Sequence, residues 1–214
     1  MNEKSNVHSR LLEKAAREIL SPLGLRQKGR SRIWLDDRVW WIGIVEFQPS
    51  EFSKGSYLNV GCMWLWHIHS HIAYSRIDRI EEFQRYESEA QFGPVAESLA
   101  HQAKDAIERY RKEFKDIKAV RESYLRMPKR TFWQAYDAGV ACGLCGDSAR
   151  AVKSFEELMP DDPKVPEWQK AAIQDARYLT SFLGGPLSFK DVIVSRIKQA
   201  RQIQKLPPPE GIDF

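Results

Sequence analysis

The chain has 214 residues, a formal net charge of +4, 43% hydrophobic and 29% charged side chains. That composition has room for a sizeable core and excludes a disordered or fibrous chain. Three Cys exclude a disulfide scaffold, and the absence of any apolar run near ~20 residues excludes a spanning helix. The opening MNEKSNVHSRLLEK lacks the apolar stretch of a signal peptide, so a cytoplasmic protein is expected. The basic surplus falls mostly in the first third of the chain and is mild for a dedicated DNA-binding domain.

In chain order, Val7, Leu11, Leu12, Ala15, Ala16 and Ile19 recur at helical spacing and predict a helix from about Ser5 to Leu20. Ser5 is placed to cap it, and Ser21-Pro22 with Gly24 end it. Three strands are expected next: Leu25–Leu35, Val39–Gln48 and Tyr57–His71. Asp36-Asp37-Arg38 and the loop Pro49–Ser56 separate them, and such short connections favour an antiparallel meander. On the third strand Leu58, Val60, Cys62, Trp64, Trp66 and Ile68 share the face that reads as core under the first helix. The other face, with Tyr57, Asn59, Gly61, Met63, Leu65, His67 and His69, is mixed and reads as partly open.

From Ser75 the spacing of Ile77, Ile80 and Phe83 predicts a short helix. Gly93-Pro94 punctuates, and Val95, Leu99, Ala103, Ile107, Tyr110 and Phe114 mark an amphipathic helix of about five turns. Further helices are expected at Ile117–Arg126, Phe132–Gly143, Ser148–Met159, Glu167–Leu183 and Phe189–Leu206. The tail LPPPEGIDF reads as extended. The expected fold is α+β: an N-terminal helix on a small antiparallel sheet of about three strands or more, then a largely helical C-terminal half. The boundary is expected near Pro128, giving residues 1–128 as the α+β domain and 129–214 as a helical region, separate or packed on the first.

Two stretches resemble known families. Pro22-Leu23-Gly24-Leu25, Lys28-Gly29-Arg30 and Trp34, then Val45, Phe47, Gln48, Ser50, Tyr57, Asn59 and Gly61 together resemble a bacterial family of domains of unknown function, number forty-three-oh-four. The resemblance covers about residues 11–79, with Leu25 where that family has Phe. It implies an α+β fold and a bacterial origin and brings no activity with it. The stretch from Leu144-Cys145-Gly146-Asp147-Ser148 through Phe155 to Asp162-Pro163 resembles one tetratricopeptide unit spanning about residues 132–163. Gly139, Gly143 and Ala151 would let two helices approach, and Phe155 would fill the hairpin. One unit cannot bury its own face, so the two helices after it would have to supply the rest. The resemblance implies protein–protein contact through a groove; an ordinary helical hairpin is the other reading.

Four features carry candidate chemistry. His67, His69 and His71 fall on one face of the expected strand, neighbours about 7 Å apart. Two alternate imidazoles at that spacing suit zinc or a similar divalent ion; a third ligand, Glu46 or Asp78 for instance, must come from elsewhere, and a solvent-facing strand end is the plainer reading. Cys142-Gly143-Leu144-Cys145 has redox spacing but closes a helix, where the dipole disfavours a thiolate; burial in a hairpin fits better. Arg26, Lys28, Arg30 and Arg32 alternate along the first expected strand and end at Trp34. That row suits phosphates with Trp34 stacking on a base, or it is a strand edge guarded by charge. The last helix sets Arg196, Lys198, Arg201 and Lys205 against Val192, Ile193, Ile197, Ala200 and Ile203, which suits a membrane surface or, more ordinarily, packing within its own domain.

No glycine-rich phosphate loop, GxSxG motif or acid dyad is present, which points away from an enzyme. The leading expectation is a non-catalytic bacterial binding protein that recognises another protein, an accessory or immunity-type factor, with no cofactor and no membrane. The alternatives are nucleic-acid or anion binding through Arg26–Arg32 and a metal-dependent hydrolase on His67 and His69.

Overall fold

The computed structural model describes residues 7–158, 165–185 and 188–214, so the capping role assigned to Ser5 lies outside the described residues. The chain divides into two compact units. One runs to Leu65 and resumes at His69–Lys112; the other comprises Trp66–Ile68 and Glu113–Phe214. The division at Lys112/Glu113 precedes the break at Met127-Pro128, because α3 before that break packs on α4 after it.

The first unit opens with α1 (Val7–Leu20), whose Leu12, Ala15, Ala16 and Leu20 are buried. A 3-10 turn at Ser21–Leu23 closes on Gly24, at φ 91°. Five antiparallel strands follow in the order β1-β2-β3-β4-β5: Arg26–Gln27, Ile33–Asp37, Trp41–Pro49, Gly55–Trp64 and Arg76–Arg85. The meander is as expected, with three differences. The first expected strand is a hairpin, β1 and β2 around Lys28–Arg32, where Gly29 adopts φ 58° and Lys28 N donates to Ile33 O. The third expected strand stops at Trp64 as β4, so His67–His71 follow the sheet and do not stand on it.

The segment read as a short helix is β5. Its pairing with β4 carries two irregularities: Asn59 faces Arg79, Leu58 faces Glu81 and Ser56 faces Gln84. Each adds one residue on β5, so Ile77, Ile80 and Phe83 come three apart and imitate a helical period.

α2 (Glu89–Glu113) runs straight through Gly93-Pro94. Proline so near a helix start removes only one intrahelical bond. The helix buries Phe92, Ala96, Leu99, Ala103, Ile107 and Tyr110. Ile107 lies against Gly43 of β3, and Tyr110 Oη donates to Asp78 Oδ2 at 2.7 Å. Arg111 forks onto Asp36, with Nε to Oδ2 at 2.9 Å and Nη2 to Oδ1 at 2.7 Å. The mixed face of β4 is covered as well: Asn59, Gly61 and Met63 are buried, and the Tyr74 ring lies against Gly61.

The second unit holds α3 (Ile117–Leu125), α4 (Phe132–Leu144), α5 (Ser148–Glu156), α6 (Glu167–Thr180) and α7 (Phe189–Ile203). Asp116 caps α3, Thr131 and Gln134 form a reciprocal capping box on α4, and Asp147 caps α5. α4 is buried nearly all round, from Ala135 to Cys142, as a central helix must be. Small residues admit its neighbours: a Cβ on Gly139 would come within 2.6 Å of the Phe155 ring, and one on Gly143 within 2.6 Å of the Phe189 ring.

α7 turns Ile193, Ile197 and Ala200 fully inward. Arg201, assigned by sequence to the polar side, is 3% exposed and donates through Nε and Nη2 to Pro207 O, anchoring the tail. Of the apolar face offered to a membrane surface, Ile193, Ile197 and Ala200 are thus occupied by packing, and Ile203 is 38% exposed. No helix among the described residues is long and apolar enough to cross a membrane.

Candidate functional site

The basic row dissolves when the hairpin forms. Arg26 lies on the two-residue β1, Lys28 and Arg30 sit in the exposed turn, and Arg32 follows it half-buried. The four cations do not share one strand face. Trp34 is 3% exposed, so its ring cannot stack on a base; it forms part of the wall of a concavity of about 570 Å³ between α1 and the hairpin. Arg32 also lines that wall, and on its other side a second concavity of about 340 Å³ runs past His8 and Lys54.

Arg32 is tied to α1. Its Nη2 donates to Ser9 Oγ at 2.6 Å and to His8 Nε2 at 2.8 Å. His8 is 8% exposed, set against the rings of Tyr86 and Phe92. Burial, then the charges of Arg32 and Lys54, push its pKa down to about 4. An unfolded His titrates near 6.5, so the unfolded chain takes up this proton first as pH falls. The stabilisation is complete above about pH 6.5 and is lost toward pH 4, in total about 3 kcal/mol. Urea denaturation between those limits should show that slope, and His8→Gln, which keeps an acceptor for Arg32, should flatten it. Equal slopes in the two proteins would count against a neutral buried His8.

The histidine cluster is divided between the units. His69 and His71 belong to the first unit, their rings 5.9 Å apart in the segment after β4. His67 belongs to the second, where its Nε2 donates to Asp137 Oδ1 at 2.7 Å. Asp137 is 1% exposed and also accepts from Trp66 Nε1 at 2.9 Å and from Tyr124 Oη at 3.2 Å. The His67 ring is walled by Trp133 and Tyr136. Among the described residues no group of three or more His, Cys, Asp or Glu is arranged to hold a metal ion.

Beside this cluster, Tyr136 Oη bonds to Asp175, and Arg196 forks onto the same carboxylate at 2.7 and 2.5 Å. Burial pushes the Cys142 thiol up to about 11, in keeping with a structural role for the CxxC.

One surface of the second unit went unread in the sequence. Phe132 and Trp133 begin α4, and Trp168 begins α6. The Trp133 and Trp168 rings stack at 5.7 Å with 22° between planes, and Phe132 meets both edge-on. Trp133 is 39% exposed and Trp168 50%. The signal was the adjacent pair Phe132-Trp133 directly after the Thr131 cap, two large aromatics in the first turn of a helix.

No family model, curated protein or solved structure matches the chain.

Proposed function

We propose that the chain is a non-catalytic protein-recognition factor, and that its contact face is the aromatic surface at the starts of α4 and α6. One observation carries the reading: two tryptophans stack on each other while 39% and 50% exposed. Tryptophan is the residue most enriched at the energetic centres of protein interfaces. A ring held by its neighbour also loses little freedom when a partner covers it. The Lys170–Glu167 pair belongs to the first turn of α6, as Trp168 does, and suits the polar rim that surrounds such a centre. An accessory or immunity-type role in a bacterial cell fits a chain that presents such a face.

Wild type and the Trp133→Ala/Trp168→Ala variant, each immobilised, should differ in what they retain from bacterial extract. A partner held by wild type should bind the variant at least about 30-fold more weakly, the scale of a lost hot spot. Both side chains lie at the surface, so the circular dichroism of the two proteins should match. A partner retained equally by both would end the assignment of this face.

A further inference from the structure

We infer that the aromatic face at the starts of α4 and α6 receives Pro207-Pro208-Pro209 of a second copy of this chain, so that two copies pair reciprocally. The inference rests on the reading of that face as a contact surface and names its occupant. The tail is the starting point. Leu206, Pro207 and Pro208 each precede a proline, which bars them from helical backbone, and each proline fixes its own φ at about −65°. The segment is thereby set in a polyproline II helix, which has no internal hydrogen bonds and little freedom left to lose on binding.

The segment is held in place without being covered. Lys205 turns the chain off α7 at φ 57°, and Leu206 N donates to Arg201 O at 2.9 Å. Arg201 Nε and Nη2 reach Pro207 O at 3.1 and 2.6 Å. Arg201 is in the last turn of α7 and Lys190 in the first, and the Phe214 ring centroid lies 5.8 Å from Lys190 Nζ. The tail therefore doubles back along α7, tied at both ends, where an idle terminus would fray. Pro209, Ile212 and Phe214 are half-buried, whereas Pro207 and Pro208 are exposed.

The face supplies what such a segment packs on. Polyproline helices dock on exposed aromatic rings, and a proline ring has almost no rotamer freedom to give up. The stacked Trp133 and Trp168 present that surface. Charge favours this chain's own tail. Lys205 precedes the prolines and Glu210 and Asp213 follow them, all three exposed. The face carries the opposite charges: exposed Glu167 beside Trp168, and exposed Lys129 and Lys170 near the starts of α4 and α6. Such flanking charges fix the direction of docking. Each copy offers one tail and one face, so two contacts close a symmetric pair, and the second forms within a complex already made.

A labelled peptide of residues 205–214, KLPPPEGIDF, tests the contact by fluorescence anisotropy on the full chain, and sedimentation equilibrium tests the pair. The expected result is saturable peptide binding and a dimer that excess peptide dissociates. A peptide with Pro207→Ala and Pro208→Ala should bind at least about 10-fold more weakly, and so should the wild-type peptide on Trp133→Ala/Trp168→Ala. The peptide substitutions leave the fold of the protein untouched. No peptide binding at about 1 mM chain would overturn the inference, as would a chain that stays monomeric at that concentration. So would binding indifferent to either pair of substitutions, or a dimer that the peptide leaves intact. A chain that ignores the peptide yet loses an extract partner on Trp133→Ala/Trp168→Ala would keep the face as a contact surface and remove the second copy as its occupant.

Discussion

Asp137→Ala is expected to destabilise the helical unit by about 3–5 kcal/mol, the scale of removing one member of a buried charged network. The carboxylate is reached from three directions: Trp66 and His67 bond to Oδ1 and Tyr124 to Oδ2. Alanine deletes the common acceptor and leaves three donors around a site with almost no exposure. Each buried donor left unpaired costs about 1–3 kcal/mol, and relaxation or an entering water returns part of that sum. Asp137→Asn keeps one carbonyl oxygen and loses less, about 1–2 kcal/mol. Urea denaturation followed by tryptophan fluorescence reads both, since Trp66 belongs to the cluster. An alanine variant within about 1 kcal/mol of wild type would show that the three donors find other acceptors. The asparagine loss reads the charge and one acceptor alone, because asparagine fills the same space; the gap to alanine adds the second acceptor and the lost volume.

That cluster also marks the limit of reading this chain as a sequence. The helices of the second unit were legible because turn residues break the chain between them, Met127-Pro128, Gly146-Asp147 and Pro166 among them. Asp137 was not legible, since nothing local distinguishes a carboxylate on the inner side of α4 from one at a surface. Its partners Trp66 and His67 lie about seventy positions away in the chain. The same range problem hid the meaning of the histidines. His67, His69 and His71 read as one face only while the strand was assumed to continue past Trp64. The apolar run Leu65-Trp66 continued the pattern for a different reason, burial after the ladder had ended.

The row from Arg26 to Arg32 failed through an underweighted turn. Lys28-Gly29-Arg30-Ser31 carries a glycine at positive φ and a serine whose Oγ donates to Lys28 O. Both are turn chemistry, and the alternation of charges around them has no strand to lie on. Of the five residues in that row, Arg32 bonds to α1 and Trp34 is buried, neither in the way that alternation suggested.

Gly61→Ala is expected to cost about 3 kcal/mol, at the upper end of overpacking in a well-filled core. Gly93→Ala should instead stabilise by up to about 1 kcal/mol. Both glycines sit inside regular elements without a left-handed backbone, so neither is needed for its conformational freedom. The difference is what an added methyl meets. At Gly93, in α2, nothing beyond its chain neighbours and its own helix lies within 4 Å, so alanine recovers the entropy that glycine loses in a helix, less the crowding of its Cβ against the Pro94 ring.

At Gly61, on β4 between Ile44 and Ile77, the new Cβ would overlap Arg76 O and approach Tyr74 Cδ1 to 2.6 Å. The carbonyl is main chain of the neighbouring strand and cannot rotate aside. The Tyr74 ring is itself pinned, because its Oη donates to Glu46 Oε2 at 3.2 Å. Relief therefore requires β5 to move off β4, which opens the ladder. Chemical denaturation of the two single variants reads the opposite signs, and Gly61→Ala/Tyr74→Ala shows which obstacle dominates. If the ring were the main barrier, the double variant would be less destabilised than the two single losses added together. The carbonyl remains in place whatever becomes of the ring, so the losses should add to within about 0.5 kcal/mol.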